Sequence, residues 1–254
     1  MNSQIPIYLT SLDIVNDEII IKATRKVANY FKNEKTHIIL GDFCEMILKR
    51  SAKWGIGDVE NKFSSIQEEL ETTYKNEQVN IYNLTRGELE TAFKMADSRD
   101  KKYLGDLRGR LFEAILVGIY GGTYILEHPP PNQQRGWGVS IGIPTNSEPD
   151  VIKYVHETQD PQKSKKTMDY AYIKGVNRVF FECKIQPDRF EDAEINYFKL
   201  FHNKFVEFDL GHELCFFAAD SYTEIEMEME DYELEFPLNL LGYDNINAFV
   251  VEKM

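Results

Sequence analysis

The chain has 254 residues, with 42 Asp and Glu against 29 Lys and Arg, a formal net charge of −13, 43% hydrophobic residues, and only 15 Gly and 9 Pro. That is enough apolar chain for one large domain or two small ones with a real core, which excludes an intrinsically disordered protein, a collagen-like repeat and a disulfide-stapled miniprotein. The longest apolar run, 111–126, is broken by Glu113 and by Gly118, Gly121 and Gly122. It is too short and too polar to span a bilayer, the start of the chain carries no export signal, and Cys44, Cys183 and Cys215 form no CxxC pair. The expectation is a soluble cytoplasmic protein with no membrane contact.

In chain order, apolar residues recur near helical spacing over 17–32, 41–53, 60–75 and 85–96. Residues 1–105 therefore read as a helical region, a candidate for dimerisation, target recognition or partner docking. Another helix, 106–120, ends at Gly121-Gly122, as expected of a C-terminal stop. A strand over 123–127 runs into Pro129-Pro130-Pro131, and the stretch to Lys166 is rich in Pro, Gly, Gln, Asn and Ser, with a strand-like piece at 138–143. Connections that long are uncommon unless they have a task or are mobile. Between 161 and 178 the charge reverses, with Lys163, Lys165, Lys166, Lys174 and Arg178 against Asp169 alone. Such a patch on an acidic body suits a phosphate-bearing ligand.

Residues 168–173 and 178–186 are β-rich and separated by Lys174-Gly175-Val176-Asn177, which reads as a hairpin. A helix over 191–208 and a buried strand over 213–219 follow. From 106 onward the order is helix, strand, hairpin of two strands, helix, strand, an α/β arrangement with a mixed sheet. The remainder, 222–254, holds nine of the acids and one Lys. Within it Glu224, Glu226, Glu228 and Glu230 alternate with Ile225, Met227 and Met229, which predicts a strand with one acidic face and a bulge at Glu230-Asp231.

With the turn centred on Gly175-Val176, residue 173 faces 178, 171 faces 180 and 169 faces 182. Asp169 then lies opposite Glu182, with β-carbons about 5 Å apart. Phe180, Glu182, Lys184 and Gln186 share one face of the strand. Val179, Phe181, Cys183 and Ile185 form the other, which reads as the core face. Two carboxylates so close repel unless something positive lies between them. A divalent cation would answer that need, with Lys184 orienting a water or stabilising phosphate charge; a cross-strand Lys-carboxylate pair at the edge of the sheet is the alternative. Glu113 is the only charged residue in LFEAILVGIY. A carboxylate on so apolar a helix should point to a metal, a Lys or solvent.

Taken together, the lone-Glu helix, the strand, Asp169, Glu182-Cys183-Lys184, the next helix and the buried strand resemble the PD-(D/E)XK superfamily of restriction-endonuclease-like nucleases, over 106–220. The resemblance implies an α-β-β-β-α-β core, a mixed sheet sandwiched by helices, preceded by the N-terminal helical region and followed by the acidic strand, so that 106–254 forms the nuclease unit. It makes Asp169 and Glu182 the ligands of Mg²⁺ or Mn²⁺, Lys184 the catalytic lysine and Glu113 a further acid of the metal site. Met168, not Pro, precedes Asp169; a Pro149-Asp150 pair falls in the loop, and the helix after the ExK strand lacks a QxxxY.

The function so implied is metal-dependent hydrolysis of DNA, in preference to RNA, with Lys163, Lys165, Lys166, Gln186 and Arg110 as substrate contacts and Arg108 as another. Family habit suggests a restriction or anti-phage effector, working as a homodimer or with a partner protein. A catalytically silent subunit of the same fold and an acidic DNA mimic are the competing readings. His128, His156 and His212 have no zinc-ligand spacing, and His202-Asn203, inside an apolar-periodic helix, is read as ordinary helix surface.

Overall fold

The computed structural model describes residues 8–11, 17–54, 58–99, 101–120, 135–143, 150–158 and 164–253. The N-terminal part is helical: α1 (Glu18–Phe31), a run that tightens and widens through 3₁₀ turns at Glu34–Ile39, α2 (Leu40–Asp42), a π-helix at Phe43–Lys49 and 3₁₀ turns at Arg50–Lys53, then α3 (Val59–Thr73), α4 (Asn76–Asp97) and α5 (Lys101–Ile119). Asp17 starts α1 by accepting the N–H groups of Ile19 and Ile20 at 3.0 and 3.3 Å, satisfying donors that the first helical turn leaves open. A β-carbon on Gly118 would lie 2.5 Å from the Ala28 carbonyl oxygen. Glycine there lets α5 press against α1.

The strands are β1 (Tyr8–Ser11), β2 (Arg135–Ile143), β3 (Asp150–Val151), β4 (Met168–Lys174), β5 (Asn177–Lys184), β6 (Glu213–Ala218) and β7 (Asn239–Leu241). They form one sheet in the order β1-β2-β4-β5-β6-β7, with β3 beside β2. β1 to β5 pair antiparallel, while β5, β6 and β7 run parallel. The sheet is therefore mixed, and α5, β2, β3, β4, β5, α6 (Asp192–Glu207) and β6 follow one another along the chain, one short strand more than the expected order. The strand expected at 123–127 lies outside the described residues.

Helices cover both faces of the sheet. On one, Tyr170, Phe181 and Phe217 join the apolar side chains of α1, α3, α4, α5 and α8 (Ile246–Lys253) in a single cluster. On the other, Phe180 and Phe216 pack against α6 and the C-terminal segment. This corrects the expectation that the face carrying Phe180 and Glu182 lies away from the core. Phe180 is fully buried, its ring 4.6 Å from Phe201 and 5.4 Å from Phe205. The N-terminal helices and the sheet share one core, which runs through residue 105 without a break.

A second correction concerns the acidic tail. The predicted strand is a helix, α7 (Tyr222–Met229), closed at its start by a capping box between Ser221 and Glu224. Ile225 and Met229, one helical turn apart, are buried, while Met227 is 69% exposed. The alternation of Glu with apolar residues suggested a period of two, but the box Ser-x-x-Glu is a helix-start signal and prevails here.

Candidate active site

The hairpin brings the site together. Gly175 turns the chain with φ +62°, a conformation that favours glycine, and the ladder pairs Ala171 with Phe180 and Ile173 with Arg178, the expected register. The ladder ends at Tyr170 and Phe181. One step further the Asp169 carboxylate accepts the Cys183 N–H at 2.7 Å, so a side chain fills the place of a backbone acceptor. On the other side of β4, Trp137 pairs with Tyr170 and Val139 with Met168, and between them stands Gly138 with φ +57°. Side-chain alternation slips at this level: Trp137 and Tyr170 join one core cluster, Val139 and Met168 the other. Asp169 lies at the seam.

Glu182 is 1% exposed. Its Oε1 receives the ammonium groups of Lys165 at 2.7 Å and Lys184 at 3.0 Å, while Oε2 is buried and has no hydrogen-bond partner among the described residues. Lys184 also reaches Glu194 Oε1 at 2.7 Å, and Lys165 lies 3.9 Å from the same oxygen. Glu194 stands in the first turn of α6, where its other oxygen accepts the Glu191 N–H and completes a capping box. One residue thus caps the helix and steadies Lys184.

Burial, then the Glu182 charge, push the Asp169 carboxyl well above its ordinary range, and the lysines only partly counter them. Burial also raises Glu182, but Lys165 and Lys184 outweigh it and hold this carboxyl low. Of the two carboxyls, the proton is thus favoured on Asp169 and the negative charge on Glu182. Burial disfavours the Lys184 ammonium, yet Glu182, Glu194 and Asp169 raise its pKa. Burial and the nearby carboxylates also push the Cys183 thiol well up, which argues against a thiolate nucleophile.

Glu113 reaches this group from α5 and adds to the upward push on Asp169. Its side chain is 13% exposed and takes the Arg110 guanidinium at 2.9 Å and the Trp137 indole N–H. Arg110 lies over the Trp137 ring, 5.1 Å from its centre, so it is engaged inside the fold. Lys165 is held by a backbone bridge to Tyr154 and turned onto Glu182. It is thus a member of the charge cluster, whereas Lys166 is exposed. Lys163 lies outside the described residues. Gln186 is exposed and lines a cleft with Arg108. Asp150, of the earlier Pro-Asp pair, is exposed and 3.9 Å from Lys204. Sequence reasoning missed Glu194 and the inward turn of Lys165; only the Glu191-x-x-Glu194 capping pattern could have signalled the first.

Among the described residues no three His, Cys, Asp or Glu side chains converge with the spacing of a metal site. Mg²⁺, however, is usually held by one or two carboxylates with waters and substrate phosphate completing its shell. Asp169 and the unpartnered Glu182 Oε2 have the chemistry for that.

No protein-family model matches the chain, and no curated protein matches it. Among solved structures it is similar to the crystal structure of protein VC1899 from Vibrio cholerae, at 13% identity and a TM-score of 0.40, covering 97% of this chain and 57% of that one. Among the described residues no helix is long and apolar enough to cross a membrane.

Proposed function

We propose that this chain is a metal-dependent nuclease of the restriction-endonuclease-like kind, hydrolysing phosphodiester bonds of DNA. The observation that carries the reading is the buried Glu182, with one oxygen on two ammonium groups and the other without a partner among the described residues. An orphaned carboxylate oxygen in the interior is costly, and a cation shared with Asp169 relieves it. When bound, Mg²⁺ or Mn²⁺ would lower the pKa of a coordinated water and offset charge on the scissile phosphate.

The protein's own residues do the rest. Asp169 and Glu182 would hold the cation, with Glu113 as a further acid of the site. Lys184, kept charged by Glu182 and Glu194, donates to the attacking water and aligns it with phosphorus. Glu194 is a positioning residue, acting through Lys184. Lys165 neutralises Glu182 until a metal takes over part of that task.

A silent subunit of the same fold is the rival reading. It draws on one observation: Lys165 and Lys184 balance Glu182 and Glu194 without any metal. Incubation with supercoiled plasmid, linear duplex, single-stranded DNA and RNA, each with Mg²⁺, Mn²⁺ or EDTA, separates the two. The nuclease reading expects cleavage with metal and none with EDTA. No cleavage of any substrate, together with a melting temperature indifferent to Mn²⁺, would favour the silent subunit.

A further inference from the structure

An open cleft of about 650 Å³ lies among the N-terminal helices, with Arg108 of α5 and Gln186, just beyond β5, in its lining. Five cations line it, Lys49, Arg50, Lys53, Lys62 and Arg108, against two carboxylates, Glu45 and Glu69. That is a local excess of positive charge on a chain of net charge −13. A basic concavity on an otherwise acidic surface focuses field toward anions. Lys53 is exposed and has no ion-pair partner among the described residues; Arg50 and Lys62 are exposed, Arg50 donating to Glu45 at 3.3 Å and Lys62 lying 3.4 Å from Asp58. All three can turn to a ligand at little cost. Lys49 is different, since it is bound to Asp220 and anchors the wall.

Two residues of the cleft's lining lie near the candidate site along the chain. Gln186, which lines it, is two residues beyond Lys184, about 7 Å along an extended chain. Arg108, also in the lining, precedes Glu113 on α5 by five residues, about 7.5 Å of helix rise. We infer that this cleft binds the phosphodiester backbone of the nucleic acid and leads it to Asp169, Glu182 and Lys184. The inference rests on the nuclease reading for its direction, not for the binding itself. It gives the N-terminal helices the role of substrate track and moves the main phosphate contacts away from Lys163, Lys165 and Lys166.

The test is binding in EDTA, where no metal-dependent cleavage intervenes. A fluorescein-labelled DNA duplex, its single strand and RNA of the same sequence are titrated by anisotropy at several salt concentrations. The variant carries Arg50→Ala, Lys53→Ala and Lys62→Ala, all at exposed positions; the control carries Lys22→Ala, Lys26→Ala and Lys35→Ala. The cleft variant should bind at least about tenfold more weakly, with the slope of log affinity against log salt reduced by roughly two to three for duplex, from about 0.9 for each phosphate that is no longer neutralised. The control should bind as wild type. Which probe binds most tightly identifies the nucleic acid. Equal weakening in both triple variants, or unchanged binding in the cleft variant, overturns the proposal. So does a dimer that only the cleft variant dissolves while nucleic-acid binding stays intact, because the cleft would then hold an acidic surface of a second copy. If wild type cuts DNA but the cleft variant binds normally, only the cleft assignment fails. If the cleft variant loses binding but wild type cuts nothing, the cleft stands and the nuclease reading falls.

Discussion

Asp169 and Glu182 are pushed in opposite directions, Asp169 up and Glu182 down, and that opposition has consequences that single substitutions can read. The Asp169 carboxyl is raised in the folded state, so folding favours its protonated form. The stability it contributes is complete below the ordinary carboxylate pKa and is lost as pH rises through the folded value. Asn at this position imitates the protonated acid and can still accept the Cys183 N–H. Asp169→Asn should therefore raise the melting temperature of the metal-free protein at pH 8 and leave it nearly unchanged at pH 4, while removing the response to Mn²⁺; a lower melting temperature at pH 8 would mean that Asp169 is needed charged. Lys165 holds the Glu182 oxygen that, on the proposed reading, a metal would contend for. Lys165→Met should lower the melting temperature in EDTA and enlarge the upward shift on adding Mn²⁺, as differential scanning fluorimetry can show. Lys184→Met should slow cleavage by about 10²-fold or more, the scale of losing one donor to developing charge, with a smaller change in substrate affinity.

The elements differ in how openly the sequence announces them. The hairpin is fully legible: Gly175 fixes the turn, two β-rich arms flank it, and the register 171 with 180 and 173 with 178 follows from counting. The seam at Asp169 is not, because it depends on Gly138, some thirty residues earlier, adopting a left-handed conformation beside it. Nor does counting along a strand reveal that both faces are covered; that depends on α6 and the N-terminal helices arriving from far along the chain. The acidic tail misleads because its local alternation is more conspicuous than the shorter Ser221-x-x-Glu224 signal. The correction is itself testable. Ser221→Ala removes the cap of α7 and should cost about 1 kcal/mol, measured by urea unfolding. As a strand, the segment would be nearly indifferent to that change. A helix also disperses Glu224, Glu226, Glu228 and Glu230 around its axis, so they form no single acidic face set against DNA.

At the scale of the whole molecule, the sheet is a partition. One side carries a core shared with the N-terminal helices, the other a core shared with α6 and α7. The charge cluster sits where alternation between those sides breaks, fed by α5 through Glu113, by β4 and β5 through Asp169, Glu182 and Lys184, by α6 through Glu194 and by the Tyr154 bridge through Lys165. That convergence explains why deletion is a poor test of mechanism: Glu182→Ala would leave two lysines facing an empty place, and losing one partner of a buried pair costs about 3–5 kcal/mol. Glu182→Gln keeps the shape and one acceptor oxygen while removing the charge that a divalent cation requires. The most direct measurement is thus the initial rate of plasmid nicking in Mn²⁺ by wild type and by Glu182→Gln, with circular dichroism confirming that both are folded. Nicking by wild type that EDTA abolishes, and that falls roughly 100-fold or more in Glu182→Gln, is the predicted result. Equal rates in the two proteins, or no nicking by folded wild type in either Mn²⁺ or Mg²⁺, would contradict it.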